Sequence, residues 1–200
     1  SGLIKGFLGL GLPSSAMGLL TFVIEPVHAI SVMVAPIIFT NIAQFTRAPN
    51  PMRTMNEFKF FALFIIMSIF STSMFITFYP TQVLTVAIGF AMIAFSLNQL
   101  YGVKISIGPS YFWHGVVGII SGVLGGLSSI WSPPVAMYLI ARNYDKDQFI
   151  SATGFLFMVG GLPLGLGLYF AGVLTYLVVL QSIIALIFVL IGFRIGEILR

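Results

Sequence analysis

The sequence predicts an all-α membrane protein made of two inverted repeats, each a broken or re-entrant helix hairpin followed by transmembrane helices. Three observations predict it. Only 7% of the 200 residues are charged and 58% are hydrophobic, whereas a soluble domain carries roughly 25% charge to cover a wetted surface. Charge-free stretches run from Phe60 to Val103, from Ile105 to Ala141 and from Gln148 to Phe193, and each has room for one or two spans of about 20 apolar residues. Two apolar segments, one opening each half, are interrupted by Gly, Ser and Pro. Strands of a barrel would alternate apolar and polar residues. Segments such as Phe60–Ser73 do not, and a helix pairs its own backbone where no water is available.

Seven apolar segments follow in order. Ser1–Ile24 is interrupted at Gly11-Leu12-Pro13. Val27–Thr46 is a full span closed by the polar stretch Arg47–Glu57. Phe58–Phe78 and Thr81–Leu100 form a pair joined tightly at Tyr79-Pro80. Ser110–Ile140 is interrupted around Gly125–Ser129 and Ser132-Pro133-Pro134. Gln148–Ala171 carries Gly160-Gly161-Leu162-Pro163 midway, and Val173–Ile191 is the last. No linker divides the chain, so residues 1–200 read as one transmembrane domain, with repeat 1 at about 1–100 and repeat 2 at about 110–200. The chain opens at Ser1 inside an apolar run and stops at Arg200 as a helix closes; both ends are expected to be trimmed.

The interrupted segments resemble one another. At an offset of 116 residues, Gly2, Gly6, Leu8, Gly9 and Ile24 fall on Gly118, Gly122, Leu124, Gly125 and Ile140. Each break has a small or hydroxyl cluster, Pro13-Ser14-Ser15 in one and Ser128-Ser129 with Ser132 in the other. If Ser110–Ile140 is a re-entrant hairpin, its two ends share one side of the membrane. Placing that side in the cytoplasm puts Arg47, Arg53, Lys59, Lys104, Arg142, Lys146, Arg194 and Arg200 inside, all of the nine basic residues except Lys5, as the positive-inside bias requires. The first hairpin then opens outward and the repeats are inverted, a recurring transporter design. The competing reading is one long, kinked helix at each place.

Two hairpin tips meeting from opposite faces create a small polar chamber. Helix N-termini present unpaired N–H groups that suit an anion, and the hydroxyls of Ser14, Ser15, Ser128, Ser129 and Ser132 add donors without a buried charge. Pro133 and Pro134 cost little in a first turn. Gly2, Gly6, Gly118 and Gly122 fit close helix packing. Lys5 stands as the outlying charge, either at membrane depth, where a cation could hold an anion, or snorkelling to headgroups. Thr40, Asn41 and Gln44 share a helix face, and Asn98 and Gln99 close the fourth segment. Trp131 either walls the chamber or packs. His28 and His114, with Tyr111 and Trp113, read as an interfacial belt.

The stretch Gly118–Ile140 (GIISGVLGGLSSIWSPPVAMYLI), followed by Asp145–Phe149 and Ser151-Ala152-Thr153, resembles the second half of the TauE/SafE sulfite exporter family. Gly2–Gly11, His28–Ser31, Asn41–Arg47 and Gly192–Gly196 resemble other parts of it. The resemblance implies export of sulfite or organosulfonates across the bacterial cytoplasmic membrane by two homologous halves, with the path at Gly9–Ser15 and Gly125–Pro134. The chain departs from the family pattern at Gly9–Ser15, which replaces a run of Gly, and at Lys5, where a small residue is usual. The expected site is therefore Lys5, Ser14, Ser15, Asn41, Ser128, Ser129, Trp131 and Ser132, and the expected partners are a small sulfite- or sulfonate-class anion and the bilayer.

Other classes fit less well. No Cys, no paired His and no Asp or Glu within the spans leave no nucleophile–base pair and no metal-ligand cluster, so neither an enzyme nor a metal site is expected. No nucleotide-binding motif or cofactor site is read, and the net charge of +4 follows topology rather than nucleic-acid binding. A structural subunit or a passive anion channel stays as the alternative. Oligomeric state, coupling ion and the particular anion are left open.

Overall fold

A computed structural model describes residues 1–101 and 110–199. Its ten α-helices are α1 (Gly2–Leu8), α2 (Leu12–Leu20), α3 (Pro26–Val32), α4 (Val34–Phe45), α5 (Pro51–Met74), α6 (Thr81–Tyr101), α7 (Tyr111–Ser128), α8 (Ser132–Ala141), α9 (Lys146–Phe170) and α10 (Tyr176–Ile198). A short 3-10 turn, Ile76–Phe78, joins α5 to α6. No strand occurs among the described residues, and five helical stretches are long and apolar enough to cross a membrane. The expectations for Lys104 and Arg200, and for the side chains of Asn98 and Gln99, lie outside the described residues.

Each interrupted segment is broken. The first parts at Gly9–Gly11, between α1 and α2, and the second at Ser129–Trp131, between α7 and α8. The second folds back on itself: the His114 ring near the start of α7 lies 5.5 Å from the Tyr138 ring near the end of α8. A straight helix rises 1.5 Å per residue and would keep these rings far apart, so the kinked-rod reading fails there.

Two boundaries differ from expectation. The polar stretch Arg47–Glu57 is not all loop, because Pro51 opens α5 and its first two turns are hydrophilic. Asn50 and Pro51 supply a helix start, and a helix continues past the hydrocarbon wherever its backbone pairs internally. The last helix, α10, runs on to Ile198 through Gly192–Gly196, past the expected end at Ile191. The second segment also pauses unexpectedly, with Met33 separating α3 from α4. Gly160–Pro163 lies midway in α9, which runs through Pro163 as the single span expected.

Glycine stripes set the packing. A Cβ on Gly6 would sit 2.9 Å from the amide nitrogen of Glu197 and 3.0 Å from Gly196 Cα, so α1 lies backbone to backbone on α10. At the other pair, Gly122 would meet the Ile65 carbonyl at 3.1 Å as α7 crosses α5. Small residues allow such approaches where lipid removes any hydrophobic drive between helices. The most buried span is α9, at 61%, while α10 is only 22% buried; α9 is the axis of the bundle and α10 turns most of its surface to lipid.

Candidate functional site

The first break is made by backbone geometry. Gly9 and Gly11 adopt φ of 79° and 92°, left-handed values that only glycine takes freely. Lys5 closes the last turn of α1, its carbonyl accepting from the Gly9 amide at 2.8 Å. Leu12 then starts α2 with Pro13 in the first turn. At the second break Ser129 takes the turn at φ 60°, and the Ser128 hydroxyl accepts from the Ile130 amide at 3.1 Å while donating to the Leu124 carbonyl at 2.6 Å.

The two breaks touch. Ser14 Oγ and Ser132 Oγ lie 3.5 Å apart across the chain, each in the first turn of its second half-helix. Beside them is a cavity of about 10 Å³ lined by Lys5, Gly11, Pro13, Ile37, Asn41, Trp131, Ser132 and Phe157. That volume suits one water at most. Lys5 is 1% exposed; its ammonium donates to Asn41 Oδ1 and to the Gly9 carbonyl at 3.3 Å and stands 5.4 Å from the centre of the Phe157 ring. Snorkelling is excluded by that burial. Trp131 is 2% exposed and meets Phe157 edge-on at 5.9 Å, and its indole N–H has no acceptor. A buried donor without a partner costs about 1–3 kcal/mol.

The expected residues divide into two groups. Lys5, Asn41, Trp131 and Ser132 line one cavity, and Ser14 reaches them through Ser132. Ser15 turns its hydroxyl back to the Gly11 carbonyl at 2.8 Å, and Ser128 is occupied by the turn described above. Ser129 is buried with a partnerless hydroxyl but is not among the cavity residues. Pro133 and Pro134 remove two amide donors from the first turn of α8. Phe157 was not foreseen; as one of 20 phenylalanines it carries no signal of its own.

Neighbouring polar side chains keep α4 and α9 in register. Asn41 Nδ2 donates to the Ile37 carbonyl at 2.7 Å, which leaves its Oδ1 facing Lys5. Gln44 Nε2 donates to the Ile150 carbonyl at 2.8 Å and to Thr153 Oγ1 at 3.1 Å. His28, at the start of α3, donates to Gln181 Oε1 at 2.8 Å and ties α3 to α10.

Basic residues gather at one end. Arg47 pairs with Glu197, which also accepts from Arg194 at 3.2 Å. Arg53 and Lys146 line one polar cavity with Asp145 and Asp147. Asp145 caps α9, accepting from the Gln148 amide at 2.8 Å. The Tyr144 hydroxyl donates to Glu57; burial first, and that carboxylate second, push it above its ordinary value of 10. Arg142 shares a second cleft with Glu57, Tyr138 and Tyr144.

The family model described as "Sulfite exporter TauE/SafE" matches residues 1–200. No curated protein and no solved structure matches the chain.

Proposed function

The chain belongs to the TauE/SafE sulfite exporter family, a family of membrane transporters, and from that premise we propose that it exports a sulfur oxyanion. The cargo is sulfite or an organosulfonate, the membrane is the bacterial cytoplasmic one, and the anion binds where the two breaks meet. One observation carries the reading: among the eight residues lining that cavity are an ammonium, an unpaired indole N–H and a serine hydroxyl, with no carboxylate. Donors without acceptor charge are what an oxyanion needs in a water-poor site.

Each residue has a distinct part. Lys5 supplies the countercharge and Asn41 holds it while the site is empty. Trp131 donates its free N–H, and Ser132, with Ser14 behind it, donates a hydroxyl. Phe157 and Ile37 exclude water, which strengthens every one of those contacts. A cavity the size of one water cannot hold a sulfur oxyanion, so binding parts the tips. The two repeats are inverted in this reading, supported by the exchange of glycine-packed partners between halves and by the basic residues gathered at one end. Rocking one hairpin against the other then opens the chamber to each side in turn.

The test is flux of radiolabelled sulfite and of methanesulfonate in proteoliposomes of the full chain. Saturable flux absent from empty liposomes is expected. Flux that never saturates makes the protein a passive channel, and no flux of either anion makes it a structural subunit.

A further inference from the structure

Lys5 has a second position in the fold besides its place on the chamber wall. It also lines a cleft of about 100 Å³ with Gly6, Gly9, Gln44, Arg47, Ala48 and Glu197 among its neighbours. That cleft shares Pro49, Asp147 and Ser151 with the polar cavity at the basic end. Lys5 alone is common to the cleft and the chamber. The route from the basic end to the chamber therefore passes one buried side chain.

From this geometry we infer that Lys5 is a charge-selective gate: its ammonium, latched to Asn41, closes the basic-end route, and an arriving anion opens it by taking the ammonium from Asn41. The inference rests on the anion-transport reading and assigns the gate within it. The choice of partner is what makes the latch releasable. Among the described residues no carboxylate lies within ion-pairing distance of Lys5, and its side-chain bonds go to a neutral amide and a backbone carbonyl. A carboxylate partner would hold the ammonium against an anion of equal charge, since removing one member of a buried ion pair leaves the other uncompensated. An amide dipole is weaker than a full charge, so an oxyanion displaces it. A neutral molecule has no such advantage, and a cation is repelled. The latch is held in place from behind, since Asn41 Nδ2 is fixed on the Ile37 carbonyl at 2.7 Å and cannot swing after the departing lysine.

The chain contains no cysteine, so single-cysteine accessibility reads the gate without background. Ala48→Cys places a thiol on the cleft side of Lys5 and Ser132→Cys places one in the chamber. Each is reacted with a small neutral methanethiosulfonate applied to the basic face of the full chain in sealed vesicles. Ala48→Cys is expected to react at the same rate in every background. Ser132→Cys is expected to react slowly beside native Lys5. Breaking the latch by Lys5→Met, which keeps most of the length without the charge, or by Asn41→Ala accelerates it roughly tenfold or more, the worth of one hydrogen bond to a charged group. An unchanged Ser132→Cys rate in both backgrounds, with Ala48→Cys reacting normally, overturns the gate. Acceleration by Lys5→Ala but not by Lys5→Met also overturns it, because bulk rather than charge would then do the closing. The rates require no transport, so loss of flux in the parent protein sinks the transport reading without imitating either result.

Discussion

Replacing Lys5 with Met tests the proposed chemistry most directly, because the unbranched Met chain keeps most of the length and lacks the charge. In the proposed site the ammonium makes one charge-assisted hydrogen bond to the oxyanion, worth about 1.5–3 kcal/mol. At 1.4 kcal/mol per decade this weakens binding about 10- to 150-fold. The Coulomb ceiling is not far above, at about 4 kcal/mol for unit charges 4 Å apart at an effective dielectric constant of 20. The Trp131 N–H and the Ser132 hydroxyl remain, so flux survives at high substrate. Stability moves the other way. Lys5 is 1% exposed and has no carboxylate partner among the described residues, so an apolar chain of the same size removes a desolvation cost. The assay is the concentration dependence of sulfite flux in proteoliposomes, run beside a thermal melt in detergent. A raised half-saturation concentration with an unchanged or higher Tm is expected. Half-saturation within threefold of the parent would refute the role of Lys5 as countercharge.

Other expectations follow from particular contacts. Trp131→Phe removes the unpaired N–H together with part of the buried ring, so it weakens sulfite binding about tenfold, the low end of a hydrogen bond to a charge, and lowers Tm through the cavity it leaves. Gly6→Ala drives a methyl into the α10 backbone and lowers stability by about 1–3 kcal/mol, read as Tm in detergent. Gly89→Ala, whose Cβ meets nothing within 4 Å, costs nothing in the same assay. Tyr144 is held neutral by the fold above its ordinary value of 10, so its contribution is whole below pH 10 and is lost as pH climbs through the folded value. Melts above pH 10 should therefore fall more steeply for the parent than for Tyr144→Phe.

Composition and hydropathy made the membrane class and the seven apolar segments legible, because a bilayer enforces both over lengths of many residues. The breaks were legible as well: Gly9, Gly11 and the serine cluster are residues that a continuous helix uses poorly. What escaped were directions. Ser14 and Ser15 look alike in sequence, yet one meets Ser132 and the other bonds its own turn, a choice fixed by position in the first turn of α2. Lys5 could be read as buried or as snorkelling, and only packing against α10 and α4 decides between them. Phe157 became a wall of the cavity through long-range packing. The α5 start was misplaced because hydropathy tracks the hydrocarbon boundary, while the helix ends where its hydrogen bonding does.

The backbone-to-backbone seating of α1 on α10 has a consequence for biogenesis. One partner is translated well before the other, so during insertion the glycine groove of α1 waits without the α10 backbone it seats against. The bundle closes by a contact between distant parts of the polypeptide, and such contacts form late. Ribosomes stalled short of α10 should therefore leave α1 open to crosslinking with lipid, and its protection should appear only once α10 has entered the bilayer.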